Sequence, residues 1–114
     1  AHDLLGRPPR MRIEQEEIFG PVLAILPYDT VDEAVELANA TIYGLNAMVW
    51  GTSRKEAVAV ARRIRSGNVY VNDGPRDVAA PFGGYGASGI GREGGVYDLM
   101  EFTQLKAVFD RTTF

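Results

Sequence analysis

Residues 46–72 read NAMVWGTSRKEAVAVARRIRSGNVYVN, and this stretch decides the fold. Asn46 to Trp50 carries Ala47, Met48, Val49 and Trp50 and stops at Gly51, a mostly apolar strand with a turn residue behind it. Ser53 then offers a helix cap and Glu56, three residues on, its box partner. Ala57, Val60, Ala61 and Ile64 fall on one helical stripe, while Arg54, Lys55, Arg62 and Arg65 hold the outer face. Gly67 is placed to end the helix, and Asn68 to Asn72 returns to strand composition. A strand, a helix and a strand joined by short connections predict parallel strands with the helix crossing between them.

The same grammar extends upstream. Val22 to Leu26 is a continuous apolar run between Pro21 and Pro27, which predicts a strand buried on both faces. Thr30 and Glu33 supply a second cap and box, followed by a stripe of Val31, Ala34, Val35 and Ala38, with Asn39 and Gly44 as stop signals. The expected class is α/β: a partial parallel sheet with covering helices. Three strands make a thin sheet, and the first implies neighbours on either side that this chain need not supply. Residues 1–12 contain Pro8, Pro9 and four charges without any period, so they read as a flexible lead-in or the cut edge of a larger fold.

Downstream, from Asp73 to Gly95, periodicity disappears and glycine accumulates. A loop of that length is unusual in a compact domain unless it is functional or interfacial. Val96 to Phe102 is expected to form a short helix, and Gln104 to Phe109 a last strand, suited to pairing at home or with another subunit's sheet edge.

Composition closes several classes. At 114 residues there is room for one modest core and not for two independent domains. The net charge is -3 and the 12 Lys and Arg residues are scattered, so no nucleic-acid footprint is expected. No apolar run approaches the roughly 20 residues needed to span a bilayer, and a cytoplasmic setting without membrane contact is expected. The absence of cysteine removes disulfides, a thiolate nucleophile and cysteine-ligated metals from these residues. His2 is the only histidine, so neither a triad nor a zinc cluster has support. Asp73 and Asp77 read as surface turn residues sooner than a cation site, and no metal is expected.

Three features carry possible chemistry. Gly84 to Gly89 and Gly89 to Gly94 both match the dinucleotide pattern, but no clear strand precedes them, so a turn-rich packing loop is expected in place of a phosphate cradle. Glu16-Glu17-Ile18-Phe19 precedes the first apolar run. It reads either as a solvated acidic turn whose Ile18 and Phe19 tuck into the core, or as a ligand edge where a carboxylate accepts ribose hydroxyls beside an aromatic ring. Phe82, flanked by Pro81 and Gly83, is either an anchor pinning the loop or one wall of an apolar passage. Arg92-Glu93 reads as a local ion pair or a loop tie.

Two blocks, Glu16 to Val22 and Pro81 to Gly95, resemble the two signatures near the carboxy end of aldehyde dehydrogenases. Tyr43-Gly44-Leu45, Gly67 to Asn72 and Thr103 to Lys106 resemble further segments of that family in the right order, so the resemblance runs from about Met11 to the end. It implies that Glu17 binds hydroxyls of the nicotinamide ribose, that Phe19 packs near the nicotinamide riboside, and that Phe82 lines the aldehyde entrance. It also implies that Leu105 to Phe109 extend a sheet across a homo-oligomer interface. On this reading residues 13–102 are the carboxy-terminal part of a catalytic domain and 103–114 an oligomerisation strand and tail. The family's thiol nucleophile, general-base glutamate, oxyanion asparagine and cofactor domain lie upstream of anything present. The expectation is therefore a fragment of an NAD- or NADP-dependent aldehyde dehydrogenase that is inactive alone and binds no cofactor alone. The alternative is a non-catalytic structural or interaction module that keeps the fold. One departure stands out: the family usually has a lysine at the position of Gly86.

Overall fold

The computed structural model describes residues 11–111. Its elements run α1 (Arg12–Gln15), α2 (Val31–Asn39), β1 (Asn46–Val49), α3 (Arg54–Ala61), β2 (Asn68–Val71) and α4 (Gly95–Glu101), with one turn of 3-10 helix at Gly86–Ser88 before α4. The strand, helix and strand of the deciding stretch are present in the order read, with α3 ending at Ala61, before Ile64 and Gly67. β1 and β2 are parallel, with Asn46 opposite Asn68 and Val49 opposite Val71. α3 packs on both strands. The Ser53 hydroxyl accepts from the Glu56 N–H at 3.3 Å, and Ala57, the first residue of the predicted stripe, is 4% exposed, with Val60, Ala61 and Ile64 half-buried.

Asn72 closes this unit. Its side-chain oxygen accepts from the Gly51 N–H and its amide donates to the Gly51 carbonyl, both at 2.9 Å, which joins the ends of the two strands. Asn72 and Asp73 then turn the chain away with φ of 48° and 59°. Asn and Asp are the non-glycine residues that tolerate this left-handed region best.

α2 keeps its predicted cap with a shifted box. Thr30 Oγ1 accepts from the Glu33 N–H at 3.2 Å, while the Glu33 carboxylate reaches past the cap to the Asp29 N–H at 2.8 Å. Val35 is buried and Ala34 half-buried, but Val31 and Ala38 are exposed. α2 is tied to the end of α3 by polar groups. Asn39 donates to the Arg63 carbonyl at 2.9 Å and accepts from the Arg65 N–H at 2.7 Å, and Asp32 pairs with Arg63 at 2.6 Å.

Two expected strands are extended chain without a ladder. In Val22–Leu26 only Val22 makes a β-bridge, and the segment alternates half-buried Val22, Ala24 and Leu26 with exposed Leu23 and Ile25. Burial on both faces needs flanking elements that the described residues do not supply. Gln104–Phe109 likewise forms no ladder among the described residues, and Leu105 and Phe109 are 95% and 94% exposed. The expected short helix is present as α4, with Val96, Leu99 and Met100 exposed. α1 was not expected from the sequence, and residues 1–10 of the predicted lead-in lie outside the described residues.

Val35 and Ala57 are the only buried hydrophobic side chains among the described residues, and neither is completely enclosed. The radius of gyration is 19.3 Å, against about 13 Å for a self-contained domain of about 100 residues. Local order therefore rests on close backbone packing more than on a core. At Gly67, which follows the end of α3 instead of capping it, an added Cβ would lie 1.5 Å from the Gly83 carbonyl oxygen. At Gly91 it would meet nothing within 4 Å. We expect Gly67→Ala to destabilise the fold by about 1–3 kcal/mol through overpacking. Gly91→Ala should stay within about 0.5 kcal/mol. Urea unfolding of both variants checks the contrast.

Candidate functional site

The glycine-rich segment is ordered by bonds to the loop before β1. Gly44 is the hub: its N–H donates to Ser88 Oγ at 3.0 Å, and its carbonyl accepts from the N–H groups of Gly67 at 3.0 Å and Tyr85 at 2.9 Å. The Ala87 N–H donates to the Ile42 carbonyl at 3.0 Å. Gly86 adopts a φ of +58°, and a Cβ there would strike the Ile42 carbonyl oxygen at 2.4 Å. The two dinucleotide-like patterns thus spend their glycines on close backbone contacts, and the helix that follows Gly84-Tyr85 has just three residues. No phosphate cradle of the strand-to-helix kind is formed.

Phe82 sits where this loop is closed. Its N–H and carbonyl exchange two 2.7 Å hydrogen bonds with Glu93 in an isolated antiparallel bridge. Arg92 is a loop tie: its Nη1 donates to the carbonyls of Gly84 at 2.9 Å and Gly91 at 2.7 Å, and its guanidinium lies 5.4 Å from the Tyr85 ring centroid. The half-buried Phe82 side chain borders a cavity of about 400 Å³ together with Leu45, Arg92, Asp98 and Phe102.

Glu17 borders a different cavity, of about 510 Å³, with Tyr43, Ala47, Arg65 and Ser88. Leu45 and Ser88 line both cavities, so the two sequence-predicted sites are neighbours and not one pocket. Phe19 is 95% exposed and Ile18 44%, so neither tucks into the core as a simple acidic turn would require. Of the paired carboxylates, Glu16 is engaged: Arg12 Nε and Nη2 grip its two oxygens at 2.7 and 2.9 Å. Glu17 makes no hydrogen bond or ion pair among the described residues. The unengaged Glu17 oxygens can accept from hydroxyl donors, while Phe19, two positions on, lines neither cavity.

Three contributors escaped the sequence reading: the Gly44 hub, the Asn72 clasp on Gly51, and Arg76, whose guanidinium lies 4.6 Å from the Phe82 ring centroid. An asparagine following a strand opposite a glycine was a usable signal for the clasp. Nothing in spacing announces the other two, because both join segments far apart in sequence. Asp77 is a turn residue, its carboxylate accepting from the Ala79 N–H at 2.9 Å. No group of three metal-ligating side chains occurs among the described residues, and no helix among them is long and apolar enough to cross a membrane.

A βαβ unit with a glycine-rich loop folded onto it defines an α/β protein, and comparison with known proteins gives its family. The aldehyde dehydrogenase family model matches residues 4–108, and this chain belongs to that family. It is 48% identical over 100 residues to the geranial dehydrogenase of Castellaniella defragrans, covering 88% of this chain and 21% of that protein. Aldehyde dehydrogenase C of Pseudomonas syringae, solved as a cysteine-to-alanine mutant with NAD+ and octanal, superposes with a TM-score of 0.86 at 48% identity. The match covers 96% of this chain and 23% of that one. An aldehyde dehydrogenase of Mycobacterium tuberculosis complexed with NAD+ gives 0.81 at 46% identity, over 87% of this chain and 20% of that one. The chain thus spans about a fifth of the length of the relatives it matches.

The Arg12 guanidinium holds the Glu16 carboxyl below its ordinary pKa, and Glu16 in turn raises Arg12. With the folded value depressed, the pair's contribution is complete above the ordinary glutamate pKa and is lost as pH falls through the lower folded value. We expect an NMR titration of the Glu16 carboxyl carbon to give a midpoint below the ordinary glutamate value, and Arg12→Ala to return it to that value.

Proposed function

We propose that this chain supplies the cofactor-ribose clamp and part of the aldehyde passage of an aldehyde dehydrogenase that uses NAD or NADP. The observation that carries the reading is the unengaged Glu17 carboxylate bordering an open cavity, with the exposed Phe19 two positions on in the chain, in a member of this family. Glu17 would accept hydrogen bonds from the nicotinamide ribose hydroxyls, and Phe19 would pack near the riboside. Phe82 would wall the passage through which the aldehyde approaches. The bound nicotinamide supplies hydride acceptance; these residues supply orientation.

The catalytic thiolate must come from residues outside these 114, because none of them is cysteine. The polypeptide by itself should then neither oxidise aldehydes nor hold the cofactor, since one clamp residue and one ring leave most of a dinucleotide in water. Leu105 to Phe109 would pair with a sheet edge in a homo-oligomer. Their extended, exposed and unladdered backbone supports that reading. The same exposed apolar segment favours the second reading, a non-catalytic interaction module. That reading differs in predicting no dependence of any oxidation on Glu17.

The test is a chimera in which this chain replaces the matching segment of the Pseudomonas syringae enzyme. Glu17→Gln keeps the shape and removes the charge from a hydrogen bond worth about 1.5–3 kcal/mol. We expect turnover to fall about tenfold or more, with weaker NAD+ binding by calorimetry. Parental turnover and affinity in that variant would leave Glu17 without the assigned role.

A further inference from the structure

Phe82 is held by two bonds of its own backbone, by one on the residue before it, and by one contact of its ring. Glu93 takes both its N–H and its carbonyl, and the preceding Pro81 carbonyl accepts from Asn68 Nδ2 at 3.2 Å. None of these bonds fixes the side-chain torsions, which decide how far the ring projects into its cavity. The group that touches the ring from outside the loop closure is Arg76, with its guanidinium carbon 4.6 Å from the centroid, inside the roughly 6 Å reach of a cation–π contact.

Arg76 is brought there by the chain's own turns. The left-handed pair Asn72-Asp73 and the Gly74 N–H bond to the Val71 carbonyl at 3.0 Å reverse the chain after β2. The Asp77 turn, with the Ala80 N–H on the Asp77 carbonyl at 3.1 Å, then returns it to Pro81. Arg76 forms no ion pair among the described residues, so the ring is its recorded partner. It borders a separate hollow with Asn68, Tyr70 and Asp77, and is absent from the lining of the cavity that Phe82 shares with Leu45 and Phe102. The cation therefore braces the ring without occupying the space beside it.

We infer that Arg76 is a positioning residue that sets the orientation of the Phe82 ring, and through it the length and bulk of aldehyde the passage admits. The inference rests on the passage role proposed for Phe82 above. Its effect is on fit: losing the brace frees the ring to turn, which changes the binding of a long aldehyde that must lie along it and leaves a short one nearly untouched.

The experiment uses the same chimera with octanal and propanal as substrates. Arg76→Met keeps the stem and removes the cation, Arg76→Lys keeps a cation, and Phe82→Leu removes the ring. We expect Arg76→Met to change the octanal-to-propanal ratio of kcat/KM by about two- to fivefold, the fold-change an exposed cation–π contact is worth. The change should lie in KM for octanal, with kcat for propanal unmoved. Arg76→Lys should return the ratio toward the parent, and Arg76→Met combined with Phe82→Leu should match Phe82→Leu alone. An unchanged ratio, equal losses on both aldehydes, or additive effects in the double variant would overturn the inference while an active, Glu17-dependent chimera keeps the functional reading. A chimera with no aldehyde oxidation would overturn both.

Discussion

Close backbone approach at Gly44, Gly67 and Gly83 is the constraint on which the described structure depends. Gly44 serves three hydrogen bonds at once, two of them from Gly67 and Tyr85, and a Cβ on Gly67 would overlap the Gly83 carbonyl. Side chains at these points would hold the glycine-rich segment away from the βαβ unit, and with it the Asn68 bond to the Pro81 carbonyl that precedes Phe82. With just Val35 and Ala57 buried among the hydrophobic side chains described, hydrophobic burial alone offers little to replace that frame.

The electrostatics follow a similar division. Arg12 and Arg92 are engaged with structure, one gripping Glu16 and the other tying Gly84 and Gly91, so their charges serve local geometry. Glu17 stands apart because its immediate neighbour has taken the nearby cation. The free Glu17 carboxylate and the exposed Phe19 ring, two positions apart in sequence, belong to a member of the aldehyde dehydrogenase family, which gives the proposed ligand edge its chemical context.

Local signals were the legible part of the sequence. The caps at Thr30 and Ser53, the inward placement of Ala57, the parallel pair and the short helix after Gly94 all follow from spacing within a few residues. Val22–Leu26 and Gln104–Phe109 show where that reasoning stops: strand composition states a capacity to pair, and pairing needs an edge that the described residues do not offer. The same holds for α2, whose apolar stripe is half exposed because its inner face has little to pack against. Glu17, Phe19 and Phe82 were picked out by resemblance as much as by chemistry. Arg76 was not, because its contact depends on how a loop returns upon itself.

The central claim concerns where Glu17 lies when a nicotinamide cofactor is present. A crystal structure of the chimera with NAD+ tests it most directly. The account predicts a Glu17 carboxylate oxygen within hydrogen-bonding distance, about 2.5–3.0 Å, of a nicotinamide ribose hydroxyl. Bound NAD+ whose ribose is held by other groups, with Glu17 turned to solvent, would contradict it.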